Sequence, residues 1–153
     1  MNNIASYFLI KNLRKEKIKN MSLELVNSTI QNVASGGKLN LGTVNIRKCD
    51  GSVVYNGTDT LTFQRNGIYM ILSKVDATAT VATQTLEYAL SYNGTVSTIA
   101  SASALATDIG DTFTLVVPKM IKICNAPLTI NLVNSGVDTT NYQNVIIDIW
   151  KEL

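Results

Sequence analysis

Chemistry needs particular side chains, and this chain is short of them. Of its 153 residues none is histidine, so the group that most often moves protons near neutral pH is missing. The close acidic pair of the loop "TDIGDT" is Asp108 and Asp111, flanking Gly110. Two carboxylates there are a weak candidate for Ca²⁺ or a glycosidase centre, but acidic loop residues ordinarily form turns. Cys49 and Cys124 stand 75 positions apart, too far for a clustered metal site, and they read as thiols that pair only if the fold brings them together. No Gly-rich phosphate cradle is present. The expectation is a non-enzyme with no catalytic residues, no cofactor and no metal.

The basic residues are unevenly placed. Lys11, Arg14, Lys15, Lys17 and Lys19 fall in the first twenty residues beside a single acid, Glu16, leaving eight basic and ten acidic groups for the rest. A basic arm on a near-neutral body suggests that the arm grips something the body does not. Three readings stay open: anchoring to an acidic protein surface, a solvated tail, or phosphate neutralisation on nucleic acid. Only Tyr7 and Phe8 are nearby to stack on bases, which sets sequence recognition of nucleic acid aside. Ile4, Tyr7, Phe8, Ile10 and Leu13 approximate helical spacing. A second methionine, Met21, opens the strand-like body, so a start of translation there also stays open.

These groups must be carried by strands. From Thr60 onward most apolar stretches read at period two, with turns at Asn66-Gly67, Asn93-Gly94 and Asn134-Ser135-Gly136. Strands are predicted over 23–33, 38–46, 53–55, 61–63, 68–78, 84–92, 96–106, 111–123, 128–133 and 145–150. The segment 84–92 alternates most cleanly, with Leu86, Tyr88, Leu90 and Tyr92 on one face. Pro118 cannot donate to a ladder and predicts an edge or a bulge, and the Ser/Ala-rich 96–106 predicts an edge or closely packed strand. Asn27, Asn56 and Asn93 each open an Asn-x-Thr triplet and read as turn and strand residues. The outcome is an all-β sandwich or barrel over residues 21–153, with residues 1–20 as an arm. The chain is 46% hydrophobic and only 16% charged, so self-association is expected to cover part of its apolar surface. No segment is long and apolar enough to span a membrane as a helix.

The order of these elements resembles a known family. "LTFQRNGIYMILSKVDATAT", with its Gly-x-Tyr turn, resembles the central passage of TNF/C1q-like jelly-roll domains. "TLEYALSYNGTVS" looks like that family's hairpin, and "DTFTLVVPKMIKICNAPLTINLVNSG" and "NVIIDIWKEL" resemble its last three strands. The closest resemblance is to small jelly-roll structural proteins of phages and prophages; spore-surface collagen-like glycoproteins end in a similar domain, but no Gly-x-y stalk is present. The resemblance covers roughly 23–153 and implies an antiparallel jelly-roll β-sandwich that assembles as a homotrimer about its inner sheet. It implies Tyr69, Phe113, Ile147 and Trp150 as trimer-interface residues. It further implies a virion structural protein of the decoration or head-fibre type, assembled in the host cytoplasm and fastened by its arm to the major capsid protein or another virion protein. The alternative is a glycan- or host-surface-binding module of the same fold, using loops Thr95–Thr98, Thr107–Thr112 and Asp138–Asn144.

Overall fold

The computed structural model describes residues 21–48 and 50–152, so the basic arm and Cys49 lie outside the described residues. Eleven strands follow in order: β1 (Ser22–Asn27), β2 (Gln31–Val33), β3 (Thr43–Lys48), β4 (Val53–Tyr55), β5 (Leu61–Phe63), β6 (Gly67–Thr78), β7 (Thr85–Tyr92), β8 (Thr95–Leu105), β9 (Thr112–Ile123), β10 (Leu128–Asn134) and β11 (Thr140–Lys151). The first sheet runs β3-β1-β11-β6-β9 with β2 beside β11, and the second runs β4-β5-β10-β7-β8. Every pairing is antiparallel. From β5 onward the chain crosses repeatedly between the sheets, so apart from the β4–β5 and β7–β8 hairpins most sheet neighbours come from distant sequence, as the jelly-roll expectation required.

Alternation places one side of each strand in the gap between the sheets. Tyr69, Ile71, Val75 and Ala77 of β6 meet Leu86, Tyr88 and Leu90 of β7 there, all fully buried. Phe63 packs its ring edge-to-face on Tyr69, with centroids 4.9 Å apart, a geometry the ring quadrupoles favour. Two tyrosines tie the sheets by polar contacts. Tyr88 donates from the second sheet to Ser73 O at 2.9 Å, and Tyr142 donates from the first to Glu87 O. Burial pushes the Tyr88 hydroxyl up to about 12 and raises Tyr142 further still, so both remain donors at any ordinary pH. Asn134 adds a third tie, its amide donating to Val33 O at 2.8 Å and to Asp138 O at 2.9 Å.

Turn chemistry matches the residues present. Asn93 and Gly94 both take positive φ, 48° and 83°, as a tight primed turn between β7 and β8 demands. Gly67 has φ 150°, and a Cβ there would lie 2.8 Å from Lys151 Cε. The Asn-x-Thr asparagines are turn formers: Asn27 Oδ1 accepts from Thr29 N, Asn56 Oδ1 from Thr58 N, Asp59 N and Thr60 N, and Asn93 Oδ1 from Thr129 N. Pro118 sits on β9 and the Ser/Ala-rich stretch is β8, each the last strand of its sheet, where an unpaired edge tolerates them.

Three boundaries differ from expectation. The predicted strand 23–33 is broken at Ser28–Ile30 into β1 and β2, because Asn27 folds its side chain back on Thr29. The predicted 38–46 is an irregular run that buries Leu39 and Leu41 before β3 begins at Thr43. β11 starts at Thr140, before Val145, and the bulge at Asn144 (φ 51°) resets which side its later residues face.

Candidate functional site

Both strands and register put an apolar surface on the outward side of the first sheet. One row across it reads Trp150 opposite Met70 and Met70 opposite Met120. The next reads Asp148 opposite Leu72 and Leu72 opposite Pro118. A third brings Val26, Ile146, Lys74 and Val116 together. Directly opposed residues on antiparallel strands share a face, so β6 and β11, the central strands, are apolar on both sides. Met120 keeps 60% of its surface exposed, Ile46 52% and Val116 46%. Full burial of such a side chain is worth roughly 1.5–3 kcal/mol, and covering what remains exposed here would supply about half of that.

Charges punctuate that face. Asp76 accepts from Asn144 at 2.8 Å and from Thr114 at 2.7 Å, and these two bonds hold its carboxyl below the usual range. Glu24 and Asp148 stand directly opposite one another on β1 and β11. A groove of about 190 Å³ runs beside them, lined also by Ile46 and Trp150.

The sequence-predicted interface residues divide here. Trp150 lies in the outward apolar row, 36% exposed. Tyr69 and Ile147 are corrected: both are wholly buried inside their own sandwich, and the Tyr69 hydroxyl is spent on Arg65 O at 2.8 Å. Phe113 stands opposite Ala77 on the inward side of β9, at the open loop end, and keeps 38% of its surface; it does not join the Trp150 row. Met70, Leu72, Met120 and Ile146 were missed. The signal for Met70 and Leu72 was the unbroken apolar run Ile68–Leu72, and for Ile146 the run Val145–Ile147, where one buried face alone would give alternation.

The two ends of the sandwich differ in charge. Arg47, Lys48, Arg65, Lys122 and Lys151 gather where the described chain begins, at the Ser22/Trp150 end, and outnumber Asp50 and Glu152 there. The opposite end carries Asp108, Asp111 and Asp138 on loops. Those loops are tied together by Ala79 N to Asp111 O, Gly110 N to Ala79 O and Thr80 Oγ1 to Thr139 O. Their tips expose Val81, Ile109 and Val137. Asp111 is a clasp within its loop: its carboxylate accepts from Asp108 N and Thr107 N, both at 3.0 Å, which lowers its pKa. Among the described residues no three His, Cys, Asp or Glu gather as a metal would need. The loops expected to form one binding surface are separated: Thr95–Thr98 follows the Asn93-Gly94 turn at the Trp150 end, away from Thr107–Thr112, and residues 140–144 belong to β11. No helix among the described residues is long and apolar enough to cross a membrane.

No protein-family model matches the chain, and no curated protein matches it in sequence. Solved structures do. The Eiger TNF of S. frugiperda superposes with a TM-score of 0.73 at 9% identity, covering 88% of this chain and 93% of that one. Murine APRIL gives 0.65 at 13% identity, covering 88% and 100%. The vertex protein P5 of PRD1 gives 0.54 at 13% identity, covering 87% and 94%. The likeness is one of fold: this is a TNF/C1q-like jelly roll.

Proposed function

We propose that this chain is a non-enzymatic virion structural protein, a homotrimeric auxiliary, decoration or head-fibre subunit held to a phage capsid by its N-terminal arm. The observation that carries the reading is the outward apolar face of the first sheet, centred on Trp150, Met70 and Met120. A face of this kind needs covering, and a second and third copy supply matching surfaces about a closed axis. Of the four sequence-predicted residues, Trp150 remains the interface residue of this proposal.

The arm would complete the attachment. Lys11, Arg14, Lys15, Lys17 and Lys19 precede the end of the sandwich that is already rich in Arg and Lys, so an acidic surface on the major capsid protein or another virion protein suits that end. The likeness to the PRD1 vertex protein favours a place on a virion. Deleting residues 1–20 tests this: the expected result is loss of attachment to particles with an unchanged far-ultraviolet spectrum. Undiminished attachment would overturn the anchoring role.

A second reading has its own observation. The loop end opposite Ser22 and Trp150 exposes Val81, Ile109 and Val137 around three aspartates, which fits a trimeric module that binds a host-surface protein or a glycan there. Replacing Ile109 and Val137 by serine would then abolish host-surface binding while leaving particle attachment intact.

A further inference from the structure

The most unusual feature of the apolar face is the acid pair in it. Glu24 and Asp148 are in direct register, and like charges so placed destabilise a sheet. Ile46 stands on the far side of Glu24 and Leu72 on the far side of Asp148. Trp150 and Ile146 flank Asp148 on the same side of β11. The donor on Glu24 is the Asn45 side-chain amide, while Asp148 has Glu24 as its charged neighbour.

Among the described residues, the other charges on this side are accounted for. From β3, Lys48 stands opposite Ser22, diagonal to Glu24. From β6, Lys74 stands opposite Ile146, diagonal to Asp148, and Asp76 is engaged by Asn144 and Thr114. From β9, Lys122 is opposite Ile68 at the end of the sheet. Arg47 is opposite Leu23 and points to the other side, and β2 carries no charge. Diagonal positions are within reach of a long side chain, but Lys74 acts on Asp76, and burial and Glu24, with no lysine, set the Asp148 carboxyl in this chain.

We propose that Glu24 and Asp148 share one proton when another copy covers this face, so that assembly of the sandwich is proton-dependent. The inference rests on the self-assembly reading above and adds its regulation. Covering the face strips water from two adjacent carboxylates, and both cannot stay ionised there. One proton taken from solvent converts the repulsion into an O–H···O⁻ bond between them, a strong type. Burial and the Glu24 charge already raise the Asp148 carboxyl above its ordinary value in the single chain. The sign follows: a carboxyl whose pKa is higher in the assembled form favours assembly at low pH, and that contribution is lost as pH rises through the raised value.

The test is sedimentation equilibrium of the full chain from pH 4.5 to 7.5, with Glu24→Gln and Asp148→Asn beside it. The expected result is association that tightens as pH falls, by up to about tenfold per copy per pH unit for one proton bound. Each amide variant should assemble tightly at pH 7.5 and show a flattened pH dependence. Denaturant midpoints, measured in parallel, separate misfolding from lost assembly. A trimer whose association is pH-independent, or tightens as pH rises because a partner's lysine meets the pair, would overturn the proton link while leaving the assembly reading standing. Retention of the wild-type slope in both variants would do the same. A single copy at every pH would overturn the assembly reading itself, and the proton link with it.

Discussion

The outward sides of the two sheets have similar backbones and opposite characters. On the second sheet, Ala89 is fully buried, and Ser91, Asn131 and Val133 keep 2–4% of their surface. Small side chains there are roofed by the chain itself, and Asn131 donates to Asp59 O at 2.8 Å and Thr60 Oγ1 at 2.9 Å. On the first sheet, large side chains such as Trp150 and Met120 stand uncovered. The middle of the second sheet is closed within one chain, with Val54, Val96 and Leu105 exposed only on its flanking strands β4 and β8, whereas the first sheet leaves Met120 and Trp150 uncovered. We propose that the sandwich associates through the side left open.

Charge insertion should separate the two sides most sharply. Ala89→Asp places an unpaired carboxylate in a closed site and should cost ~3–5 kcal/mol, read as a collapsed denaturant midpoint. Met120→Asp puts the same charge on the open side, where the fold should lose no more than ~0.5 kcal/mol and the assembly should be lost. If Met120→Asp unfolded the chain as Ala89→Asp does, the contrast would fail. Below these in size is Asn134→Ala, which strands Val33 O, Asp138 O and Gly136 N and should cost about 1–3 kcal/mol. Tyr88→Phe removes both inter-sheet bonds of that hydroxyl, to the Ser73 carbonyl and to the Ser73 hydroxyl, and should cost about 1–2 kcal/mol, with assembly unchanged.

The smallest effect concerns acid. Asp76 and Asp148 share one sheet face and shift in opposite directions. Side-chain donors lower Asp76, so its contribution is present above its ordinary value of 3.8 and fades as pH drops below it. Asp76→Asn should therefore flatten stability on the acid side only, whereas Asp148→Asn acts on the neutral side. A pH series of thermal midpoints checks this, and equal profiles for the two variants would contradict it.

Much of this was legible in the residues. Leu86, Tyr88 and Leu90 alternate against Thr85, Glu87 and Ala89, and Asn93-Gly94 closes the hairpin they predict. Period two, however, says that a strand has two faces without saying which is inward. Tyr69 and Met70 are neighbours, both apolar; only the register with β9 and β11 assigns Tyr69 to the core and Met70 to the open side. Tyr69 and Ile147 were misplaced for that reason. The Glu24–Asp148 pairing was hidden for another: the two residues lie at opposite ends of the chain, and no local pattern brings β1 beside β11. The break at Ser28–Ile30 was missed because Asn27 caps Thr29 through a side chain whose role depends on backbone geometry.

The central claim is that the open side of the first sheet is covered by further copies of this chain. The most direct measurement is the mass of the purified full-length chain and its Met120→Asp variant by light scattering, at slightly acid pH and across a concentration series. The account predicts three copies for the wild-type chain and one for the variant, with matching spectra. A wild-type chain that stays single at every concentration would contradict it.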